Sequence, residues 1–361
     1  MVDTMAPLPA FLRPTRMTRR ASRPAAPQPA GDEAVLDAPD ERLSPVLVAA
    51  GRGEYGAASA LLAATRAAAE WEAHDRYTRR LAAFARSRCE WFEAWRAAAA
   101  DDPDVTLVAA QLAVDRAWPS PARAELLREV SPLITAAARA DDRDPVPWRI
   151  ALDHARGSRA GHRYFEELWE AAVRRAPHHY GCHVAALRYL GSSCCVVWGD
   201  TPHTPRASHR ECFDFADLAA QDAPADSLVQ ALPARAALAY LTDGCGPEVP
   251  RERLDAAAER AIALSGRFPA AAPSSAEIRN KLVYVLARLE RWEDARTQLR
   301  LIGPYATSFP WDRISEDPLG HFLRLREALL TAAGGTPLTE LLAAPARPRN
   351  EHRGRAAAPD H

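Results

Sequence analysis

The chain has 361 residues, and 46 basic against 47 acidic side chains leave a formal charge of −1. An apolar fraction of 48% with 26% charged residues is ordinary for a globular chain that can bury a sizeable core, so disorder throughout is excluded. Near-neutrality argues against a whole-chain basic field of the kind that displaces counterions from nucleic acid. The apolar runs fall far short of the roughly 20 residues that cross a bilayer. Ala supplies 77 residues, and Lys281 is the one Lys beside 45 Arg, a skew that a GC-rich coding bias produces on its own. Composition alone therefore does not mark the Arg as phosphate-binding.

Residues 1–41 are Pro-, Ala- and Arg-rich, with a basic half (Arg13, Arg16, Arg19, Arg20, Arg23) followed by an acidic half (Asp32, Glu33, Asp37, Asp40, Glu41). Such a segment buries too little apolar surface to offset its ordering entropy, so a flexible tail is expected. Arg19-Arg20 is not followed by an apolar stretch, so no export signal is read and a cytoplasmic protein is expected. A second tail of the same character is expected over 344–361. Six Cys without a C-x-x-C pair are expected to be reduced thiols.

Between the tails, over 42–331, helix formers dominate and β-branched alternation is almost absent. Ser44-Pro45, Ser120-Pro121 and Thr336-Pro337 read as helix starts with a hydroxyl cap and Pro in the first turn. Ser208 with Glu211 and Ser274 with Glu277 read as capping boxes, and Gly157, Gly266 and Gly303 as C-terminal stops. About a dozen helices of about 10 to 20 residues follow. Tyr77, Phe84, Trp91 and Trp95 fall on one helical face, a core stripe. Gly51-Arg-Gly53-Glu-Tyr-Gly56 has the letters of a dinucleotide loop but follows a helix, so it reads as the turn of a helical hairpin.

A weak repeat runs through this region. Asp102-Pro103, Asp144-Pro145, Ala176-Pro177 and Ala223-Pro224 each end one Ala-rich helix and precede another, with the Pro residues 42, 32 and 47 apart. That brackets the period of helix-pair repeats. Leu289 to Leu299, with small Ala295 where helices must approach closely, resembles the second half of a tetratricopeptide-type hairpin. The expected fold is all-α, a tetratricopeptide-like right-handed superhelix of antiparallel helix pairs.

The stretch Pro177, Tyr180, His183, then Trp198-Gly199-Asp200, then Ser208 to Glu211 and Phe215-Ala216 resembles a bacterial family of tetratricopeptide-like domains of unknown function, common in actinobacteria. That family shows a Pro-x-x-Tyr-x-x-His helix, a Trp-Gly-Gly-Ser turn and a helix closing in Phe-Ala. Here Asp200 replaces the second Gly, and Thr201 to Ala207 reads as an insertion. The resemblance implies a fold over roughly 43–330 and no activity.

Chemistry has few claimants. His179 and His183, four apart on a helix, could face one ion, with Cys182, Cys194, Cys195, His203, His209 and Cys212 as further donors. No H-E-x-x-H motif supports a metal, and buried thiols with bonded histidines explain the same residues. The carboxylate pairs Asp101-Asp102 and Asp141-Asp142 read as caps, and Glu166-Glu167 point about 100° apart on a helix. No nucleophile elbow or P-loop is present. The expectation is a non-catalytic module without cofactor or metal, binding an unidentified protein or peptide through Tyr180, His183, Arg188, Trp198 and His209, with no membrane and no nucleic acid among its partners. Two competing expectations are an enzyme using the His179–Cys212 stretch and a regulator touching nucleic acid through the basic N-terminal tail.

Overall fold

The computed structural model describes residues 35–36, 38–191, 207–243 and 248–331. Trp198, Gly199, Asp200, Cys194, Cys195, His203, Cys245, the Thr336-Pro337 start and the C-terminal tail lie outside the described residues, as does most of 1–41.

The described chain is all-α apart from one two-residue strand pair. After β1 (Val35–Leu36) come α1 (Leu43–Ala50), α2 (Gly56–Ala67), α3 (Trp71–Ser87), α4 (Glu90–Ala98), α5 (Pro103–Ala117) and α6 (Arg123–Ala140). Next are α7 (Val146–Gly157), α8 (His162–Arg175), α9 (Tyr180–Leu190) and α10 (His209–Asp222). A 3₁₀ turn (Leu228–Ala231) leads into α11 (Leu232–Asp243), followed by α12 (Arg251–Ser265), α13 (Pro273–Arg288) and α14 (Trp292–Ile302). β2 (Tyr305–Ala306), α15 (Ser308–Ile314) and α16 (Pro318–Thr331) complete it.

The odd-numbered helices form one continuous row, each packing on the next from α1 to α15, and the even-numbered helices pack on that row. Three successive apolar clusters, over 43–112, 107–189 and 180–329, fill the space between neighbours. Helices thus pack mostly on neighbours close in the chain. Two features depart from a linear stack. α3 touches α7 and α9 as well as α5, and β1 pairs in parallel with β2, Val35 opposite Tyr305, bringing the start of the described chain to its far end.

The turns explain the row. The four acidic-Pro or Ala-Pro marks precede α5, α7, α9 and the 3₁₀ turn into α11, so each introduces a member of the odd row. Asp102 caps α5 as expected, its carboxylate accepting from Asp104 N at 2.9 Å. The Asp141-Asp142 expectation is corrected: Asp141 follows the end of α6 and accepts from Arg143 N at 3.0 Å, while Asp144 accepts from Val146 N at 2.8 Å at the start of α7. The Gly51–Gly56 segment is the α1–α2 turn. The Ser208–Glu211 capping box is present.

Several local expectations are corrected. Helix α1 is capped by Asp40 rather than Ser44, the carboxylate accepting from Arg42 N and Leu43 N. Ser120 Oγ accepts from Ala122 N in a turn, and α6 starts two residues after Pro121. Ser274 caps nothing: α13 begins at Pro273, and Glu277 turns instead to Arg235. Pro177 lies in the turn before α9, whose cap is the His179 ring, Nδ1 accepting from Cys182 N at 3.3 Å.

Gly157 has an ordinary helical backbone, and its role is space. A Cβ there would lie 2.4 Å from Leu127 Cδ1 and 2.7 Å from the Trp118 ring. Gly303 does take a left-handed φ of +65°. The aromatic stripe is split between α3 and α4, yet Tyr77, Trp91 and Trp95 meet in one core as the spacing implied.

Candidate functional site: a charged hollow along the odd-numbered helices

Charged residues three, four and seven apart recur on the odd-numbered helices: Glu72, Asp75 and Arg79 on α3, Arg149, Asp153 and Arg156 on α7, Glu277 and Lys281 on α13. On a surface helix such a stripe would face bulk water. Here the stripes face one another.

Asp75 is the node. It is fully buried, and its carboxylate accepts from Arg149 Nε at 2.8 Å and from Arg79 at 2.8 Å, joining α3 to α7. Burial alone would raise its pKa, but the two guanidiniums outweigh that and hold it well below the usual carboxylate range. Beside it, Glu72 Oε1 accepts from Tyr180 N at 2.6 Å, so α3 supplies a carboxylate to the N-terminus of α9. Gly181 permits this approach: a Cβ there would sit 2.3 Å from Asp75 Oδ2.

The other wall is built alike. Arg235 of α11 pairs with Glu277 of α13 at 2.7 Å and lies over the Phe309 ring at 4.2 Å. Lys281, fully buried, donates to Tyr180 Oη at 2.9 Å and so ties α13 to α9. Burial opposes ionisation of Glu277, yet Arg235, Lys281, Arg79 and Arg188 bring its pKa down to about 2.

Arg79 and Glu277, 198 positions apart in sequence, each feel the other's charge. Yet their side chains are 41% and 39% exposed. Arg80 and Asp312 are exposed, although wall atoms around them disfavour their charged forms. Groups from α3, α13 and α15 that are crowded, mutually coupled and still part-exposed imply a hollow between them. Its walls are α3, α7, α9, α11, α13 and α15, all from the odd row.

The expected binding residues fall unevenly around this hollow. Tyr180 is buried, and its hydroxyl is taken by Lys281. His183 is buried against Trp169 and Phe215, its Nδ1 donating to His179 O at 3.0 Å, and burial brings its pKa down to about 4. His209 is buried against Tyr240, with Nε2 3.6 Å from Asp243. Arg188 is half-buried and belongs to the hollow. Trp198 lies outside the described residues. The chain therefore does not bring the described members together as one exposed patch.

Comparison of the chain with protein-family models, with curated proteins and with solved structures finds no match.

Among the described residues, no group of three or more His, Cys, Asp or Glu is placed to hold a metal ion. His179 and His183 are engaged as cap and backbone donor, while Cys182 and Cys212 are buried thiols. Glu166 and Glu167 pair separately with His162 and Arg163. None of the described helices is long and apolar enough to cross a membrane. A separate groove of about 390 Å³ between α4 and α6 over α5 is lined by Phe92, Leu112, Leu126 and Val130 together with Arg96 and Glu129.

The sequence reading missed Arg79, Arg80, Arg149, Arg235 and Glu277. A signal existed. Lys281 is the single Lys of a chain saturated with Arg, and it stands four residues after Glu277 on a helix opened by Pro273.

Proposed function

We propose that the protein is a non-catalytic interaction module, a tetratricopeptide-like right-handed superhelix whose inner, odd-numbered row takes up a segment of a partner protein or peptide. The observation that carries this reading is the hollow itself: solvent-exposed charges of both signs, held by buried ion pairs, on the face that repeat proteins of this kind leave concave. The alternating packing of odd and even helices supports the superhelix. The Pro177–Phe215 pattern supports the family resemblance.

A binding face of this type draws specificity from charge complementarity, which also steers encounter. The test is affinity capture from the native cell, comparing the wild-type chain with Arg80→Glu, a reversal at an exposed position. The expected result is a partner retained by the wild type, released by moderate salt and lost from the variant, with both proteins equally helical by circular dichroism. Equal capture by the variant would place the binding face elsewhere. Tyr180, His183 and His209 are poor probes, because truncating buried residues lowers stability whatever they bind.

A further inference from the structure

Within the hollow, positive charge is concentrated at one place. Helices α7 and α9 run side by side in the same sense: Cys182 Sγ lies 3.7 Å from Pro145 O at their starts, and Tyr189 Oη donates to Ala160 O at 3.0 Å at their ends. Arg149 and Gly181 both meet Asp75. Seven residues, or two turns, beyond each of them stand Arg156 and Arg188, which the shared register sets abreast. Arg235 from α11 and Arg313 from α15 add their fields at the same point.

Three carboxylates face this place, and none of them is matched to Arg188. Asp153 bridges Arg149 at 3.6 Å and Arg156 at 3.9 Å. Glu277 is committed to Arg235. Asp312, whose pKa burial raises, feels Arg313, its neighbour on α15, more strongly than Arg188. Arg188 has no hydrogen bond or ion pair among the described residues. Burial, together with repulsion from Arg235, Arg156 and Arg313, brings its own pKa down to about 9. A guanidinium so placed is a donor fork waiting for an acceptor.

We propose that Arg188, flanked by Arg156, Arg235 and Arg313, anchors a site in the hollow for a phosphate-type oxyanion, free or carried as a phosphomonoester. A lone carboxylate would answer one guanidinium. A phosphate group carries close to two charges and three acceptor oxygens, and so answers several at once. The proposal rests on the reading of the hollow as the binding face and names the chemistry it selects.

The test is the melting temperature of the full chain at constant ionic strength, titrated with inorganic phosphate, glycerol phosphate, acetate or chloride, for the wild type and Arg188→Gln. Saturable stabilisation by inorganic phosphate or glycerol phosphate, and by neither acetate nor chloride, is expected. The stronger of the two phosphates distinguishes a free ion from a monoester. Arg188→Gln removes a repelled charge, so without ligand it should melt no lower than the wild type. Its affinity for phosphate should fall about tenfold or more. The proposal is overturned if chloride acts as phosphate does, if the phosphate response survives in Arg188→Gln, or if that variant melts lower without ligand. Absence of a phosphate effect alongside normal partner capture would remove the oxyanion site and leave the interaction module standing.

Discussion

Removing the carboxylate of Asp75 would leave Arg149, which is 2% exposed, as a buried cation short of its main partner. Breaking a buried pair from one side costs about 3 to 5 kcal/mol, far more than an exposed pair contributes. Asp75→Asn should therefore lower the free energy of unfolding by about 3 kcal/mol in chemical denaturation, whereas Glu167→Ala, at an exposed pair, should change it by less than about 0.5 kcal/mol. The pH dependence has two windows. Asp75 has a folded pKa below its unfolded one, so its stabilisation is complete above about pH 4 and fades as pH falls through the lower folded value. His183 also has a depressed pKa, but as a base it acts differently. Between about pH 6.5 and 4 the unfolded chain takes up a proton that the buried ring refuses, so stability falls with falling pH, by on the order of 3 kcal/mol. His183→Gln should lack that part of the profile. These partnerships were not legible in the sequence, because Glu72, Asp75 and Arg79 have the spacing of a water-facing stripe.

Helix ends divide into those whose chemistry is local and those set by a distant neighbour. Ser208 with Glu211 is local, and its capping box was legible. Ser274 with Glu277 has the same letters, but Arg235 lies within reach of Glu277 and the helix opens one residue earlier, at Pro273. Ser208→Ala should cost about 1 kcal/mol, while Ser274→Ala should stay within about 0.5 kcal/mol of the wild type, both by denaturant titration. Four helices, α1, α2, α7 and α13, close with a six-residue backbone ring: Glu54 N, Glu70 N, Ala160 N and Arg291 N reach the carbonyls of Ala49, Thr65, Ala155 and Leu286. The left-handed residue is Gly53 in the first, but Ala69, Arg159 and Glu290 in the others. Without glycine at that position the ends of α2 and α13 carry no stop signal in the sequence, and the glycine that marks the end of α7, Gly157, stands two residues before the left-handed Arg159. Arg159→Gly and Glu290→Gly should each raise the free energy of unfolding by up to about 1 kcal/mol, since a Cβ is disfavoured at positive φ. A fall in stability would contradict the assigned backbone.

At the scale of the molecule, helix content and the turns ahead of α5, α7, α9 and α11 were legible, because Pro placement and Ala-rich periodicity are local properties. The closure was not. The pairing of Val35 with Tyr305 spans 270 positions, and a whole-chain charge of −1 averages away any local gathering of charge such as the hollow's. Removing residues 1–38 should leave the helices folded and strip hydrogen-exchange protection from Tyr305 and Ala306, read by mass spectrometry. Loss of protection throughout the chain would instead make the strand pair a keystone of the fold. Reading the row as a binding face makes one demand on geometry: the partner must meet the inner side. The most direct measurement places a photo-crosslinking amino acid at Arg80 or Asp312 inside the hollow, and at the exposed Tyr164 or Leu218 as controls. The account predicts partner crosslinks from the first two positions and none from the controls. Crosslinks confined to Tyr164 or Leu218 would contradict it.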